Sequence, residues 1–205
     1  MISASEALDR LREGNGRFVR NVRGSSGLVG ERRAQLVDGQ EPFAIVLGCS
    51  DSRVPAELVF DQGFGDLFVI RVAGNIVAPS QVGSVEFGAE RFGTPLVVVL
   101  GHTRCGAILA TLETLRQAKP GSSRNLRSIV DRVRPSVEPL LKTDLAGDPN
   151  RLVAAAVRAN IRASTAHLRS GSEILENLIL GGRLAVVGAE YSLETGMVDF
   201  FDGAA

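Results

Sequence analysis

Phe43-Ala44-Ile45-Val46-Leu47-Gly48-Cys49-Ser50-Asp51-Ser52-Arg53 is the stretch on which the fold turns. Its first five residues are apolar, do not alternate, and are too few for a stable helix. That is the pattern of a strand buried on both faces of a parallel sheet. A glycine ends the run, and Cys, Asp and Arg follow. A second stretch has the same design: Leu96-Val97-Val98-Val99-Leu100, then Gly101-His102-Thr103-Arg104-Cys105-Gly106. Both of the chain's cysteines and one of its two histidines lie in these two stretches. In open α/β sheets, ligands bind beyond the carboxyl ends of the strands. If the two strands are neighbours, their loops converge.

The flanking sequence supports such a sheet. Residues 67–72 form a third buried apolar run, Leu184–Gly188 a fourth, and Met197–Phe201 could add an edge strand through the turn Glu194-Thr195-Gly196. Helical patterns fall between them at about 55–61 and 79–92, the latter opened by Pro79 and closed by Gly93. Strand alternating with helix predicts an α/β fold: a central, mainly parallel sheet of about four strands plus an edge strand, flanked by helices. Further helices are expected from Cys105 to Lys119, stopped by Pro120-Gly121, and over 124–142, 150–169 and 172–180. Prolines 135 and 139 interrupt the second of these, and Gly181-Gly182 ends the last.

At the N-terminus Ser3 and Glu6 have capping-box spacing, and Leu8, Leu11, Phe18 and Val19 recur at helical spacing. This predicts a helix over 4–22, with Gly14 and Gly16 marking where it would break. A loop over 23–30 and a short helix over 31–38 follow. The whole chain, 1–205, is expected to be one domain, with residues 1–40 an N-terminal helical arm lying on the sheet or on a partner subunit.

Composition narrows the function. Lys plus Arg and Asp plus Glu are each 23, so no net field attracts nucleic acid or an anionic membrane. With no Trp and one Tyr, base-stacking platforms are not expected. No apolar run approaches the roughly 18–20 residues of a membrane span. Met1–Glu6 lacks the basic and apolar regions of a secretory signal, and two cysteines make no disulfide framework. A soluble cytoplasmic protein is the expectation, with neither nucleic acid nor membrane as partner.

The chemistry lies in the two loops. His102 and Cys105 are three residues apart, so one turn at a helix start aims both at one point. Asp51, two residues past Cys49, reaches the same region. Two thiolates, an imidazole and either a carboxylate or a water make a tetrahedral zinc site. A helix N-terminus there is expected to lower the Cys105 pKa. Arg53 can hold Asp51 by a bidentate bond and draw it off the metal, leaving the fourth position to water. The resulting zinc-bound hydroxide is a nucleophile at neutral pH. Other uses of these residues are buried apolar cysteines, a Cys49–Cys105 disulfide, a phosphatase-type nucleophile, or a closed structural zinc site in an interaction domain. The phosphatase would want a longer, glycine-rich loop before its Arg, and a structural site has no need of Arg53. His167, in a helix among Ala166, Leu168 and Arg169, is read as structural or solvated.

Cys49-Ser50-Asp51-Ser52-Arg53 together with His102-Thr103-Arg104-Cys105-Gly106 resembles the β-class carbonic anhydrases of bacterial type. So do Glu13–Phe18, Gly65–Phe68, Arg71–Asn75 and Ser84–Phe87, and the likeness runs through nearly the whole chain. The resemblance implies reversible hydration of CO2 to bicarbonate and a proton, with COS or CS2 hydrolysis at the same site as the alternative. It implies one Zn2+ per chain held by Cys49, His102 and Cys105, with Asp51 as the hydroxide's orienter paired to Arg53 or as fourth ligand in a closed form. It places Gln40 and the backbone N–H of Gly106 as donors to substrate, and Phe68 and Phe87 along an apolar CO2 pocket completed by a neighbouring subunit. A homodimer, paired further into a homotetramer in some relatives, is therefore implied. Phe87 stands where some relatives have Tyr. Val46 stands where some have the Trp of an inhibitory bicarbonate site, whose Arg is matched by Arg71. Regulation of that kind is not expected.

Overall fold

A computed structural model describes residues 2–22, 29–117 and 123–203. Five strands form one sheet: β1 (Ala44–Gly48), β2 (Leu67–Arg71), β3 (Leu96–His102), β4 (Ala185–Tyr191) and β5 (Val198–Asp202). Their order is β2-β1-β3-β4-β5. The first four strands run parallel, and β5 is antiparallel to β4. The described helices are α1 (Ala4–Val19), α2 (Val29–Gln35), α3 (Ala56–Val59), α4 (Pro79–Arg91), α5 (Gly106–Gln117), α6 (Arg124–Val137), α7 (Pro149–Ser170) and α8 (Glu173–Leu180). The architecture is the α/β fold that the apolar runs predict.

Alternate residues of the central strands feed two cores, because successive side chains of a strand point to opposite faces. Ile45, Leu47, Val97 and Val99 pack under α4 to α8, with Val85, Ile108, Val133, Ile161 and Leu175. Ala44, Val46, Val98 and Leu100 pack on the other face with Ala7, Leu8 and Leu11 of α1 and with Val59 and Phe60 at the end of α3. β1 and β3 are buried throughout. β2 is not, contrary to the sequence pattern, because it is an edge strand and its residues are only half-buried.

The N-terminal helix carries the predicted capping box, Ser3 and Glu6 each satisfying the other's backbone N–H. It is not broken at its glycines. A Cβ on Gly14 would lie 1.9 Å from the carbonyl oxygen of Phe60, so this glycine lets two backbones touch. The short helix begins at Val29, earlier than its pattern suggests, and ends at Gln35. Most of the loop expected over 23–30, and the stop at Pro120-Gly121, lie outside the described residues. Pro135 sits inside α6 without ending it, whereas Pro139 opens a 3₁₀ turn, Glu138–Lys142. β4 runs past Gly188 to Tyr191 because β3 continues alongside it, with His102 opposite Tyr191. No described helix is long and apolar enough to cross a membrane.

Candidate metal centre

The chain leaves β1 toward β2 on one side and returns in β3 on the other, so the sheet's switch point lies between β1 and β3. Gly48 pairs with Leu100, which brings Cys49 out of the sheet beside Gly101 and His102. A crevice at such a point is where α/β sheets bind ligands. Cys105 precedes α5, and its carbonyl accepts the Leu109 N–H, so the helix start fixes it against the same crevice.

Cys49, His102 and Cys105 form a buried group whose ligand atoms all lie within 4.8 Å of one another. The two sulfurs are 3.9 Å apart. Two thiolates about 2.3 Å from a tetrahedral ion would sit about 3.8 Å apart, so the spacing suits a zinc-sized ion without a large shift. The His102 ring is wholly buried. Its Nδ1 lies 2.9 Å from the Thr103 carbonyl. A carbonyl only accepts, so Nδ1 carries the proton and Nε2 presents a lone pair. That Nε2 is buried with no partner. An orphaned acceptor facing two sulfurs is costly unless a cation takes it. The donor set therefore fits a metal ion.

Asp51 is held by Arg53 through both carboxylate oxygens, at 2.9 Å from Nε to Oδ1 and 2.7 Å from Nη2 to Oδ2. The Arg53 backbone N–H adds a third bond to Oδ1. The Arg53 guanidinium, more than anything else, holds the Asp51 carboxyl well below the usual carboxylate range. Its Oδ2 is 3.8 Å from His102 Nε2, next to the ligand group but paired outside it. Cys49 is brought down, chiefly by its hydrogen bond with Cys105, against burial and with help from His102 and the Gly74 and Asp51 N–H groups. Cys105 moves the other way, pushed up first by Cys49 beside it and then by burial. The helix start acts in the expected direction but does not dominate. The Ile108 and Ala107 amides do lower it, but an adjacent thiolate and loss of water outweigh them.

A family model described as Carbonic anhydrase matches residues 44–198. Carbonic anhydrase 2 of Mycobacterium tuberculosis is 39% identical over 189 residues, 91% of this chain and 87% of that protein. The chain belongs to the carbonic anhydrase family. Among solved structures, the β-carbonic anhydrase CcaA superposes with a TM-score of 0.74 at 27% identity, covering 96% of this chain and 92% of that one. A chain from the crystal structures of two tetrameric β-carbonic anhydrases of Sordaria macrospora shares the fold, with a TM-score of 0.71 at 22% identity over 96% of this chain and 95% of that one. This carbonic anhydrase is thus of the β class.

The other residues singled out in the sequence do not all converge on the Cys49, His102 and Cys105 group. Gly106 opens α5 beside Cys105, exposed, and a Cβ on it would meet nothing within 4 Å. Phe68 of β2 and Phe87 of α4 meet with ring centroids 6.2 Å apart, and both approach Phe92. Gln40 lines a separate surface cleft of about 550 Å³ with Leu36, Val37, Phe64 and Phe92. His167 faces a cleft of about 750 Å³ beside Glu86 and Ser164. Arg71 clamps the metal loop: its guanidinium donates to the carbonyls of Cys49 and Asp51 at 3.0 and 2.6 Å. Glu194 joins the site without any motif to mark it. It accepts from Thr103 Oγ1 at 2.8 Å and pairs with Arg104, a non-glycine residue at φ 54°, so the β4–β5 turn braces the second metal loop. A single acidic residue in a turn gives no sign in the sequence that it will do this.

Proposed function

We propose that the chain is a zinc-dependent carbonic anhydrase that converts CO2 and water reversibly to bicarbonate and a proton, with one Zn2+ held by Cys49, His102 and Cys105. The observation that carries this is the unpartnered Nε2 of His102 aimed at two buried sulfurs, with Asp51 held aside by Arg53. Zinc, when bound, supplies Lewis acidity that brings the pKa of a water it holds to about 7. Asp51 stays ionised because Arg53 binds both its oxygens, and its Oδ2 faces the site as an acceptor. One hydrogen bond accepted there fixes which way the attacking water presents its lone pair. The Gly106 N–H, exposed at the start of α5, is a donor for an oxygen of the bicarbonate formed. The released proton leaves through buffer or surface carboxylates, since His102 is engaged and His167 lies in another cleft.

Phe68 and Phe87 are proposed to line the apolar CO2 pocket, and Gln40 to donate to substrate in a neighbouring subunit's site. Gln40 has no place at the ligand group of its own chain, while Phe64, Phe87 and Val37 are all exposed nearby. A homodimer, with pairing into a tetramer as in the Sordaria relatives, supplies the second half. The chain is proposed to be one domain, whose N-terminal helix α1 packs on its own sheet. Two free buried cysteines suit a reducing cytoplasm.

Stopped-flow CO2 hydration across pH, on protein with its zinc quantified, tests the proposal. The rate is expected to climb from acid to alkaline pH. Zinc-replete protein that is inactive at alkaline pH would overturn it. Rates on COS and CS2, measured beside those on CO2, test the alternative substrate class.

A further inference from the structure

Helix α7 packs an apolar stripe of Ala156, Val157, Ile161 and Leu168 against the sheet, yet carries three buried polar residues, of which Thr165 bonds Asp202 while Asn160 and Ser164 bond the turn after β2. Asn160 is 2% exposed and Ser164 is 5% exposed. They are four residues apart, so they stand one turn above each other. A serine inside a helix usually bonds back to the carbonyl four residues earlier, as Ser170 does to Ala166. Ser164 instead reaches out of its helix and donates to the carbonyl of Asn75 at 3.0 Å. Asn160 Nδ2 donates to the carbonyl of Gly74 at 2.8 Å.

Gly74 and Asn75 are consecutive residues with φ of 73° and 43°, a conformation that an asparagine holds only at a cost. Both are buried in the turn Ala73–Asn75 that follows β2. That twist points the Gly74 N–H at the sulfur of Cys49, at 3.3 Å. An N–H bond to a thiolate ligand sets both its direction and its electron donation to a metal.

We infer that Asn160 and Ser164 are positioning residues for the Cys49 ligand, acting through the turn at Gly74 and Asn75 on the N–H···S bond. The inference rests on the reading of Cys49 as a metal ligand. Two consecutive carbonyls of the buried turn are anchored from a helix 86 and 89 residues away in sequence, and the anchoring keeps a strained turn aimed at the sulfur. Without the two donors the turn relaxes, and the Gly74 N–H turns from Cys49.

The test uses cobalt(II) as the probe, in full-length Asn160→Ala, Ser164→Ala and Ser164→Thr. Cobalt affinity is read by chelator competition, and the thiolate-to-cobalt charge-transfer band by absorption. Asn160→Ala and Ser164→Ala are expected to bind cobalt about 10–100-fold more weakly with the band displaced. Ser164→Thr, which keeps the hydroxyl, should restore both. Leu168→Ala, on the same buried face of α7 but without a bond to the turn, should lower the melting temperature and leave the band in place. The inference is overturned if folded Asn160→Ala and Ser164→Ala match the wild type in affinity and band, or if Leu168→Ala moves the band as much. Should Asn160→Ala fail to fold, the Ser164 pair decides. Hydration activity of the wild-type zinc protein is a separate measurement. Its failure would overturn the proposed reaction while leaving the cobalt comparison intact.

Discussion

Asp51 stands between Arg53, which takes both its oxygens, and His102, whose Nε2 lies 3.8 Å from Oδ2. Arg53→Ala removes the group that holds the carboxylate aside, and Asp51→Asn removes the negative charge and turns one acceptor oxygen into an NH2 donor. Each is expected to cut CO2 hydration by about 10²–10⁴-fold with zinc content unchanged, read by stopped flow and metal analysis. Cys49→Ser and His102→Ala, by contrast, should lose the metal itself. Asp51 also makes a pH prediction. Its pKa is depressed in the fold, so its pairing stabilises the protein fully above the unfolded value of about 3.9 and is lost as pH falls below that. In urea titrations of metal-free protein, Asp51→Asn should be the less stable at pH 6, and the gap should close toward pH 2. A gap that stays constant with pH would contradict the pairing.

At the level of elements, glycines separate contact from convenience. Gly14 of α1 abuts the Phe60 carbonyl, whereas Gly83 of α4 would meet nothing with a Cβ added. Gly14→Ala should destabilise the fold by about 2–3 kcal/mol, because the clash is with backbone that cannot step aside. Gly83→Ala should stabilise it by about 0.5–1 kcal/mol through helix propensity alone. Urea unfolding of the pair checks both signs. The glycines of α1 predict a break that the helix does not have, since composition alone cannot tell a helix breaker from a site of close packing. β2 shows a similar limit. Its run Leu67–Arg71 is nearly as apolar in sequence as β1, but order in the sheet makes it an edge and leaves it half-exposed.

For the whole molecule, the exposed Phe64, Phe87 and Val37 are where the proposed homodimer can be tested. Sedimentation is expected to give an even multiple of the chain mass. Phe87→Glu should shift it toward the monomer and reduce hydration, since it places a charge in an apolar interface. Much of the molecule is legible in the order of its residues. The runs at 43–47 and 96–100 announce central strands because burial on both faces leaves no polar positions in them. Cys49, His102 and Cys105 announce a metal because the chain has so few soft ligands and places them just past those strands. The arrangement around the ligands is another matter. The low Cys49 and high Cys105, the clamp of Arg71, the brace of Glu194 and the reach of Asn160 to Gly74 all join residues distant in sequence or depend on local burial. Local pattern determined strands, helices and the candidate ligands, because periodicity and residue chemistry are properties of short segments. Tertiary structure alone decided protonation, orientation and support, because those depend on which distant groups share a buried space.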